Sequence, residues 1–322
     1  MQPVHNYIHI IGQLVVILSY FSTMWNELSS KAKSGDFKSL SRLLSLVENR
    51  VEGYYEFLSS LSFGTHQKVV GITGPPGAGK STLTDTLIAE WVKQGKRVGV
   101  LCVDPSSPFH LGALLGDRIR MSSWYNNDKV YIRSLASRGS LGGLHPMILE
   151  MTDVMRMAGF DIILVETVGV GQSEIEIAGL ADCTVVVLVP ESGDEIQVMK
   201  AGLMEIADIF VVNKADRPGA DLFVANLNNM LHQSSTPDKA PTPVVKTIAV
   251  EHKGSAAVCE AIEATHRSSN AKRKTWLLAA RAMQIIAKER TRDIDKQVFL
   301  KDIEQQQDTW NLYRFIKKYI SH

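Results

Sequence analysis

Three patterns in the sequence predict an α/β protein whose doubly wound, mostly parallel sheet carries a glycine-rich loop after its first strand. Apolar strand-like runs alternate with helix-like segments through the middle of the 322-residue chain. Most of these runs lack polar alternation, as expected of parallel strands that are covered on both faces. A glycine-rich loop joins the first run to a helix-like segment, and sheets of this kind bind their ligands at the carboxyl ends of the strands.

The first 65 residues are predicted to form a helical N-terminal region. Ile8–Trp25 is apolar but interrupted by polar residues such as Gln13 and Ser19. It indicates a helix packed on the rest of the protein, or a wrongly chosen upstream start codon. Because it is short and polar for a membrane span and lacks the basic start of a signal peptide, we expect no membrane contact. From Asp36, a predicted N-cap, apolar residues recur at helical spacing: Leu40, Leu43, Leu44, Val47, Val51, Tyr54, Leu58 and Leu61.

Residues 66–266 form the predicted α/β domain, and residues 267–322 a helical C-terminal arm. The arm either mediates oligomerisation or folds back on its own domain. Helix-like segments include Ser81–Val92, Pro146–Met157 and Asp221–Leu231, and the composition of Gln233–Pro243 indicates a surface loop. Seven strands are predicted: Val69–Thr73, Arg97–Val103, Val130–Leu135, Asp161–Glu166, Cys183–Val189, Ile209–Asn213 and Val244–Ala249.

The loop after the first strand has the spacing G-x-x-x-x-G-K-[ST], which is typical of the P-loop that binds nucleotide phosphates. Its glycines let several backbone N–H groups point into one concavity, and the following helix adds the positive end of its dipole. Lys80 is expected to reach the β- and γ-phosphates, and the Ser81 hydroxyl to ligate Mg²⁺. The predicted phosphate-binding residues are Gly74, Pro75, Pro76, Gly77, Ala78, Gly79, Lys80, Ser81 and Thr82.

Two carboxylates at predicted strand ends form the metal side of the site. Glu166 ends an apolar strand, and Gly169 follows three residues later. In P-loop proteins an acid at this point holds Mg²⁺, and the glycine N–H faces the γ-phosphate. Asp104 ends the second strand. We expect that strand to lie next to the P-loop, so that its carboxylate points at the same phosphates.

The sequence Asn213-Lys214-Ala215-Asp216 follows another predicted strand and indicates which base is bound. Guanine presents its N1–H and N2–H₂ donors side by side, and the Asp216 carboxylate can accept both. Adenine would leave that carboxylate unpaired, a mismatch worth roughly 10⁴ in discrimination. Asn213 is assigned to the N7/O6 side of the base and to bracing the loop, while the aliphatic part of Lys214 covers one face. The predicted ligands are therefore GTP and GDP rather than ATP.

Composition argues against some partners and locations. The 35 basic and 34 acidic residues leave a net charge of +1, so no charge imbalance predicts nucleic acid as a partner. Cys102, Cys183 and Cys259 are far apart and follow neither a disulfide nor a zinc pattern. We therefore expect a reducing compartment and a cytoplasmic location.

The segment after Gly169 predicts slow intrinsic hydrolysis. Many small GTPases carry a water-orienting glutamine directly after this glycine, but here Val170 occupies the position and Gln172 follows two residues later. Fast turnover would then need a partner or an inserted side chain, and an arginine supplied to the transition state is worth about 10³–10⁵. The candidate side chains are Arg118, Arg138 and Lys200.

In their order along the chain, these motifs resemble the methylmalonyl-CoA-mutase-associated GTPases, also known as the ArgK-type or LAO/AO transport ATPase group. The resemblance is spread over about half of the chain. It rests on GITGPPGAGKST (71–82), VDPSSP (103–108), GDRIRM (116–121), RGSLGGL (138–144), ETVGVGQSE (166–174), ESGDEIQVMKAGLMEIAD (191–208) and VVNKAD (211–216).

The resemblance implies a role for each matching residue. Glu191–Lys200 is similar to the family's third switch, whose lysine, here Lys200, moves toward the nucleotide when the partner is bound. The guanine loop after the sixth strand often contains Ser-Ala; here it is Thr247-Ile248-Ala249-Val250, and Ala249 is the residue assigned to the base. Phosphate and magnesium binding or assistance of hydrolysis is implied for Lys80, Ser81, Asp104, Asp117 and Glu166, and guanine binding for Asn213, Lys214 and Asp216.

The resemblance also implies a function and partners. The chain is expected to be a G-protein chaperone of an adenosylcobalamin-dependent acyl-CoA mutase, one that gates cofactor loading and protects the radical enzyme. The family usually forms homodimers to which the C-terminal helices contribute. No cobalamin-binding D-x-H-x-x-G pattern occurs in the sequence, so the cobalamin chemistry would belong to the partner.

Three other functions remain open at the level of sequence. A metal-insertion GTPase would need a Cys/His cluster, whereas the nine histidines are scattered. A transport-linked nucleotidase or kinase would prefer ATP, against the Asn213–Asp216 pattern. A binding module that has lost hydrolysis is disfavoured because Lys80, Ser81 and both acids are intact.

Overall fold

The computed structural model describes residues 23–63, 67–104, 121–137, 144–167, 173–190, 202–234, 241–265, 271–291, 294, 296–304 and 311–320. The chain divides into two compact units, Met1–Ala271 and Lys272–His322. The first unit contains a seven-stranded sheet with helices on both faces, which confirms the predicted α/β fold.

The sheet is parallel throughout. Its strands are β1 (Lys68–Thr73), β2 (Val98–Asp104), β3 (Val130–Ala136), β4 (Ile162–Glu166), β5 (Cys183–Leu188), β6 (Ile209–Val212) and β7 (Val244–Lys246). They lie in the order β3-β2-β4-β1-β5-β6-β7, and every neighbouring pair is parallel. The carboxyl ends of all seven strands therefore meet at one edge of the sheet, where ligands of such folds bind.

Helices precede, connect and follow the strands. The first unit contains α1 (residues 23–33), α2 (Phe37–Glu48), α3 (Tyr54–Ser59), α4 (Lys80–Lys93), α5 (Ile148–Met157), α6 (Ser173–Leu180), α7 (Leu203–Ile206), α8 (Ala220–Ser234) and α9 (Ser255–Ala264). The second unit, together with Ala271, contains α10 (Ala271–Arg290), α11 (Lys296–Glu304) and α12 (Leu312–Ile320). The described parts of the N-terminal and C-terminal extensions are mainly helical, as predicted.

Alternate residues of the strands fill two hydrophobic cores, one on each face of the sheet. Val69 of β1 and Ile163 of β4 pack into a core that includes α2 and α5. Val70 and Leu164, their neighbours in sequence, pack into a second core with α4 and α9. Successive side chains of a strand point to opposite faces, so strands that are apolar at every position pack against helices on both faces of the sheet.

The N-terminal helical pattern breaks where the sequence predicted continuity. Asp36 caps α2 as expected, its carboxylate accepting two backbone N–H groups at 3.2 and 3.1 Å. The helix ends at Glu48, whereas the predicted apolar pattern runs on through Leu61. The chain turns before α3 because Arg50 and Gly53 adopt left-handed backbone, with φ angles of 51° and 83°.

The end of the apolar segment Ile8–Trp25 packs on the protein. Trp25 is buried, its indole N–H donates to the carbonyl oxygen of Glu52 at 3.0 Å, and its ring stacks on Phe57 at a centroid distance of 4.8 Å. Residues 1–22, which hold the rest of this segment, lie outside the described residues. Among the helices that the structure describes, none is both long and apolar enough to cross a membrane.

The second unit is held by an aromatic cluster. Phe315 of α12 is buried, and its ring meets those of Phe299 and Tyr319 at centroid distances of 5.2 and 5.7 Å. On α10, in contrast, two large apolar side chains seven residues apart are exposed, Trp276 by 68% and Met283 by 67%. Residues seven apart lie on one face of a helix, so α10 presents an apolar surface.

Three aspartates fix the starts of three strands of the sheet. Asp161, Asp182 and Asp208 precede β4, β5 and β6. Each carboxylate accepts a backbone N–H from the adjacent strand segment, at 2.7, 3.0 and 2.8 Å. Each aspartate N–H also donates to the carbonyl of the residue whose N–H its carboxylate accepts. This two-way contact gives hydrogen-bond partners to backbone groups near the starts of the strands, which would otherwise need water.

We expect Asp208→Ala to lower the free energy of unfolding by about 1–3 kcal/mol, because it removes the acceptor for the buried Thr184 N–H. Chemical denaturation followed by circular dichroism measures the change. Asp208→Asn is the matched control, since it keeps one acceptor oxygen and should lose less. Equal stability of the alanine variant and the unmodified protein would contradict this account.

Candidate functional site

The P-loop of residues 74–79 joins β1 to α4, and all three of its glycines have positive φ. The angles are 138° at Gly74, 78° at Gly77 and 89° at Gly79, which residues with a Cβ rarely adopt. A Cβ at Gly74 would collide with the carbonyl oxygen of Val187 in β5, and a Cβ at Gly79 with the side-chain amide of Asn213. Backbone conformation and close neighbours thus both require glycine at these two positions.

Helix α4 begins at Lys80, so its first-turn N–H groups and the positive end of its dipole lie beside the P-loop. The buried Lys80 ammonium donates to the carbonyl oxygens of Gly74 at 2.9 Å and Pro75 at 3.1 Å. Charge-assisted bonds to phosphate oxygens are stronger than bonds to neutral carbonyls. The ammonium group can therefore exchange these contacts for an anion held in the loop.

Glu166 lies at the end of β4, the strand that pairs with β1, and its carboxylate reaches α4. The side chain is buried, and its Oε1 accepts the Ser81 hydroxyl at 2.6 Å. Its Oε2 accepts the Thr84 hydroxyl at 2.9 Å. A carboxylate and a serine hydroxyl therefore meet at the first turn of α4, and oxygen atoms of this kind are the ligands that Mg²⁺ prefers.

Asp104 ends β2 and is buried at the same edge of the sheet. The expectation that its strand lies next to the P-loop strand is wrong, because β4 pairs with both β1 and β2 and separates them. Glu166 therefore stands on the strand beside the P-loop strand, and Asp104 one strand further out.

Asn213 connects the P-loop to the loop that follows β7. Its Nδ2 donates to the carbonyl oxygen of Ala78 at 2.9 Å. Its Oδ1 accepts the Thr247 hydroxyl and the Ala249 N–H, both at 3.1 Å. All these groups are buried, so one side-chain amide holds two loops of the site in a fixed relation.

The loop that follows β7 differs from the strand predicted for Val244–Ala249, because β7 ends at Lys246. The chain leaves the sheet at Thr247, whose hydroxyl donates to Asn213 Oδ1. Ile248 then pairs with Lys253 in an antiparallel bridge. A 3₁₀ turn over Ala249–Glu251 follows.

Lys214 and Asp216 lie at the surface beside this loop. Lys214 is half-buried with a φ of 56°, Asp216 is exposed, and Ala215 between them donates its N–H to the Thr247 carbonyl at 3.0 Å. Lys253 lies nearby: its pKa is raised mainly by Glu251, 2.6 Å away, with a smaller contribution from the charge of Asp216. The Asn213–Asp216 segment is therefore anchored at Asn213 and accessible at Asp216.

The structure brings together most of the residues proposed from sequence. Lys80, Ser81, Glu166 and Asn213 lie around the carboxyl ends of β1, β4 and β6. Sequence reasoning missed Thr84, although its place three residues after Ser81 puts both on one helix face. Asp117, Gly169, Val170, Gln172 and Lys200 lie outside the described residues, as do Arg118 and Arg138. Within the described ranges, no group of three or more His, Cys, Asp or Glu side chains gathers to hold a metal ion.

The chain is similar to known proteins over most of its length. The family model described as methylmalonyl Co-A mutase-associated GTPase MeaB matches residues 40–306. A protein of Pyrococcus abyssi (strain GE5 / Orsay) is 50% identical over 235 residues, which cover 72% of each chain. The GTPase ArgK of Escherichia coli (strain K12) is 37% identical over 191 residues, 58% of each chain.

Two further comparisons concern a multidomain enzyme and a crystal structure. A fused isobutyryl-CoA mutase of Geobacillus kaustophilus is 36% identical over 230 residues, which cover 67% of this chain and 21% of that protein. A crystal structure of an LAO/AO transport system kinase has a TM-score of 0.65 and 23% identity, covering 93% of this chain and 98% of that one. At 23% identity, the likeness to the crystal structure supports only the fold of this chain.

Proposed function

The chain belongs to the methylmalonyl Co-A mutase-associated GTPase family, and on this premise we propose that it is a GTP-dependent chaperone of an adenosylcobalamin-dependent acyl-CoA mutase. Membership of a P-loop GTPase family implies guanine nucleotide binding. The mutase partner is supported above all by the fused isobutyryl-CoA mutase. In that protein, a segment similar to this chain is part of a longer polypeptide that is named as a mutase. In this role GTP binding and hydrolysis would switch the chain between two states that gate cofactor loading and protect the mutase.

We assign recognition of the base to the Asn213–Asp216 segment. The exposed Asp216 carboxylate would accept the N1–H and N2–H₂ donors of guanine, and the stem of Lys214 would cover one face of the ring. One N–H of the Asn213 amide donates to Ala78, and we assign the other to the N7/O6 side. The Ala249 N–H donates to Asn213 Oδ1 at 3.1 Å, and guanine O6 would compete for it.

The phosphate side of the proposed site consists of the P-loop residues 74–82 and the residues that fit a divalent cation. Ser81 Oγ and Glu166 Oε1 are 2.6 Å apart, and together with Asp104 they form an all-oxygen set that suits Mg²⁺. When bound, Mg²⁺ would neutralise charge that develops on the phosphates during transfer. Lys80 would bind the β- and γ-phosphates. Gly169 and Asp117 complete the proposed set from outside the described residues.

Slow intrinsic hydrolysis is also part of the proposal. It rests on the sequence after Gly169, which has Val170 where many GTPases carry a glutamine. We propose that partner binding speeds the reaction by bringing Lys200 to the nucleotide. In other GTPases, an arginine supplied to the transition state raises kcat by about 10³–10⁵. We further propose a cytoplasmic location, in keeping with three buried cysteines, none of which forms a disulfide.

A homodimer is proposed through the C-terminal arm, residues 267–322. Trp276 and Met283 leave an apolar face on α10. From residue 272 onward the chain carries 12 Lys and Arg against 6 Asp and Glu, although the whole chain is nearly neutral. The arm is therefore basic and the rest of the chain acidic, which favours contact between the arm of one copy and the body of another.

Exchange of Asp216 for asparagine should change which base is bound. The amide donates where the carboxylate accepted, so Asp216→Asn should lower GTP affinity by at least about 100-fold and raise affinity for XTP, whose C2 oxygen accepts a hydrogen bond. Competition with a fluorescent nucleotide measures both affinities. If the variant keeps its preference for GTP, Asp216 does not read the base.

Association with an acyl-CoA mutase should depend on the nucleotide. We expect the purified chain to bind a methylmalonyl-CoA or isobutyryl-CoA mutase, with affinities that differ between GDP and a non-hydrolysable GTP analogue. Sedimentation of the mixed proteins measures this, and Lys80→Ala should remove the difference because it removes the phosphate contact. Absence of a complex in every nucleotide state would end the chaperone proposal while leaving family membership intact.

Loss of the apolar face should produce monomers. We expect the chain to sediment as a dimer and Trp276→Glu to sediment as a monomer at the same concentration, because a charge would be buried in the contact. Leu222→Glu, on α8 and 67% exposed, is the matched control and should remain dimeric. A monomeric unmodified chain, or a dimeric Trp276→Glu variant, would contradict the proposal.

A further inference from the structure

We propose that Thr84 is a positioning residue that fixes the Glu166 carboxylate for magnesium binding, an inference that rests on the proposed nucleotide and magnesium function. Thr84 is fully buried in α4, one turn after Lys80. Its Oγ1 lies 2.9 Å from Glu166 Oε2 and 2.9 Å from the carbonyl oxygen of Lys80. The hydroxyl has one proton for these two acceptors, and the charged carboxylate is the stronger of them, so we assign the proton to Glu166; Thr84 thus connects the acid at the end of β4 to the helix that follows the P-loop.

Ser81 and Thr84 bind different oxygens of the Glu166 carboxylate. Ser81 donates to Oε1 at 2.6 Å and Thr84 to Oε2 at 2.9 Å. The two hydroxyls share a helix face because they are three residues apart. Bonds from hydroxyl groups to a carboxylate are charge-assisted, and two of them on opposite oxygens fix the plane of the group.

A glutamate needs this second contact more than an aspartate would. The terminal torsion is broad in both residues, but glutamate has one more rotatable bond before its carboxylate, so that group has more accessible positions unless both oxygens are held. Glu166 is 3% exposed, and water therefore contributes little to holding it. Thr84 supplies the second contact from a β-branched side chain, which has few rotamers in a helix.

The two hydroxyls differ in what they can do when a cation binds. Ser81 belongs to the G-K-S motif and is the residue proposed to give its oxygen to Mg²⁺. Thr84 lies almost one turn further along α4, where its hydroxyl reaches the acid and the helix backbone. We therefore infer that it orients the acid without contacting metal or phosphate. Loss of such an outer contact typically lowers metal affinity by 10–100-fold.

The test measures how nucleotide binding depends on magnesium. In Thr84→Val, which keeps the shape and loses the hydroxyl, the Mg²⁺ concentration for half-maximal binding of a non-hydrolysable GTP analogue should rise by about 10-fold or more. GDP affinity measured in EDTA should stay within a factor of about two, because Thr84 touches no ligand. Thr84→Ser, which keeps the hydroxyl, should show the same magnesium dependence as the unmodified chain.

Thr86→Val is the matched control on the same helix. Thr86 is equally buried, and its hydroxyl donates to the Leu83 carbonyl at 2.8 Å. The control should leave the magnesium dependence unchanged, and Thr84→Ala gives a second test of hydroxyl loss if the valine variant does not fold.

Three results would overturn the positioning role in a chain that binds GTP: an unchanged magnesium dependence in Thr84→Val and Thr84→Ala, an equal shift in Thr86→Val, or failure of Thr84→Ser to restore it. Absence of GTP binding by the unmodified chain would instead overturn the proposed function, and this inference with it.

Discussion

The side-chain amide of Asn213 is the contact on which the arrangement of the site depends. It bonds the P-loop at Ala78 through its nitrogen, and the loop after β7 at Thr247 and Ala249 through its oxygen. Gly79 allows this approach because a Cβ there would occupy the place of the amide nitrogen. The strands β1 and β6 lie on either side of β5, so the amide spans the carboxyl edge of the sheet and fixes the P-loop relative to the loop after β7.

A second contact joins the other half of the same edge. The Glu166 carboxylate at the end of β4 is bound to α4 through Ser81 and Thr84. Since α4 starts at the P-loop, the loop is held from β6 by an amide and from β4 by an acid. This arrangement would let one P-loop serve both the proposed metal side and the proposed base side of the site, whose residues are far apart in sequence.

Much of this site could be predicted from sequence because its residues sit where local rules are strict. The P-loop needs glycine at positive φ, Glu166 ends an apolar strand of a parallel sheet, and Asn213 directly follows another. The order of the strands could not be predicted, because nothing local shows that β4 separates β1 from β2, and Asp104 was therefore placed one strand too close. Thr84 was missed for a similar reason, since its partner is 82 residues away in sequence. The break after Glu48 depends on left-handed backbone at Arg50, which apolar spacing does not reveal.

The central claim is that this edge of the sheet binds a guanine nucleotide through the P-loop and the Asn213–Asp216 segment. Calorimetric titration of the unmodified chain with GDP, and separately with ADP, tests it most directly. The account predicts one GDP per chain at micromolar affinity or tighter, with ADP weaker by about 10³ or more because adenine leaves the Asp216 carboxylate unpaired. No uptake of GDP, or equal affinity for the two nucleotides, would contradict it.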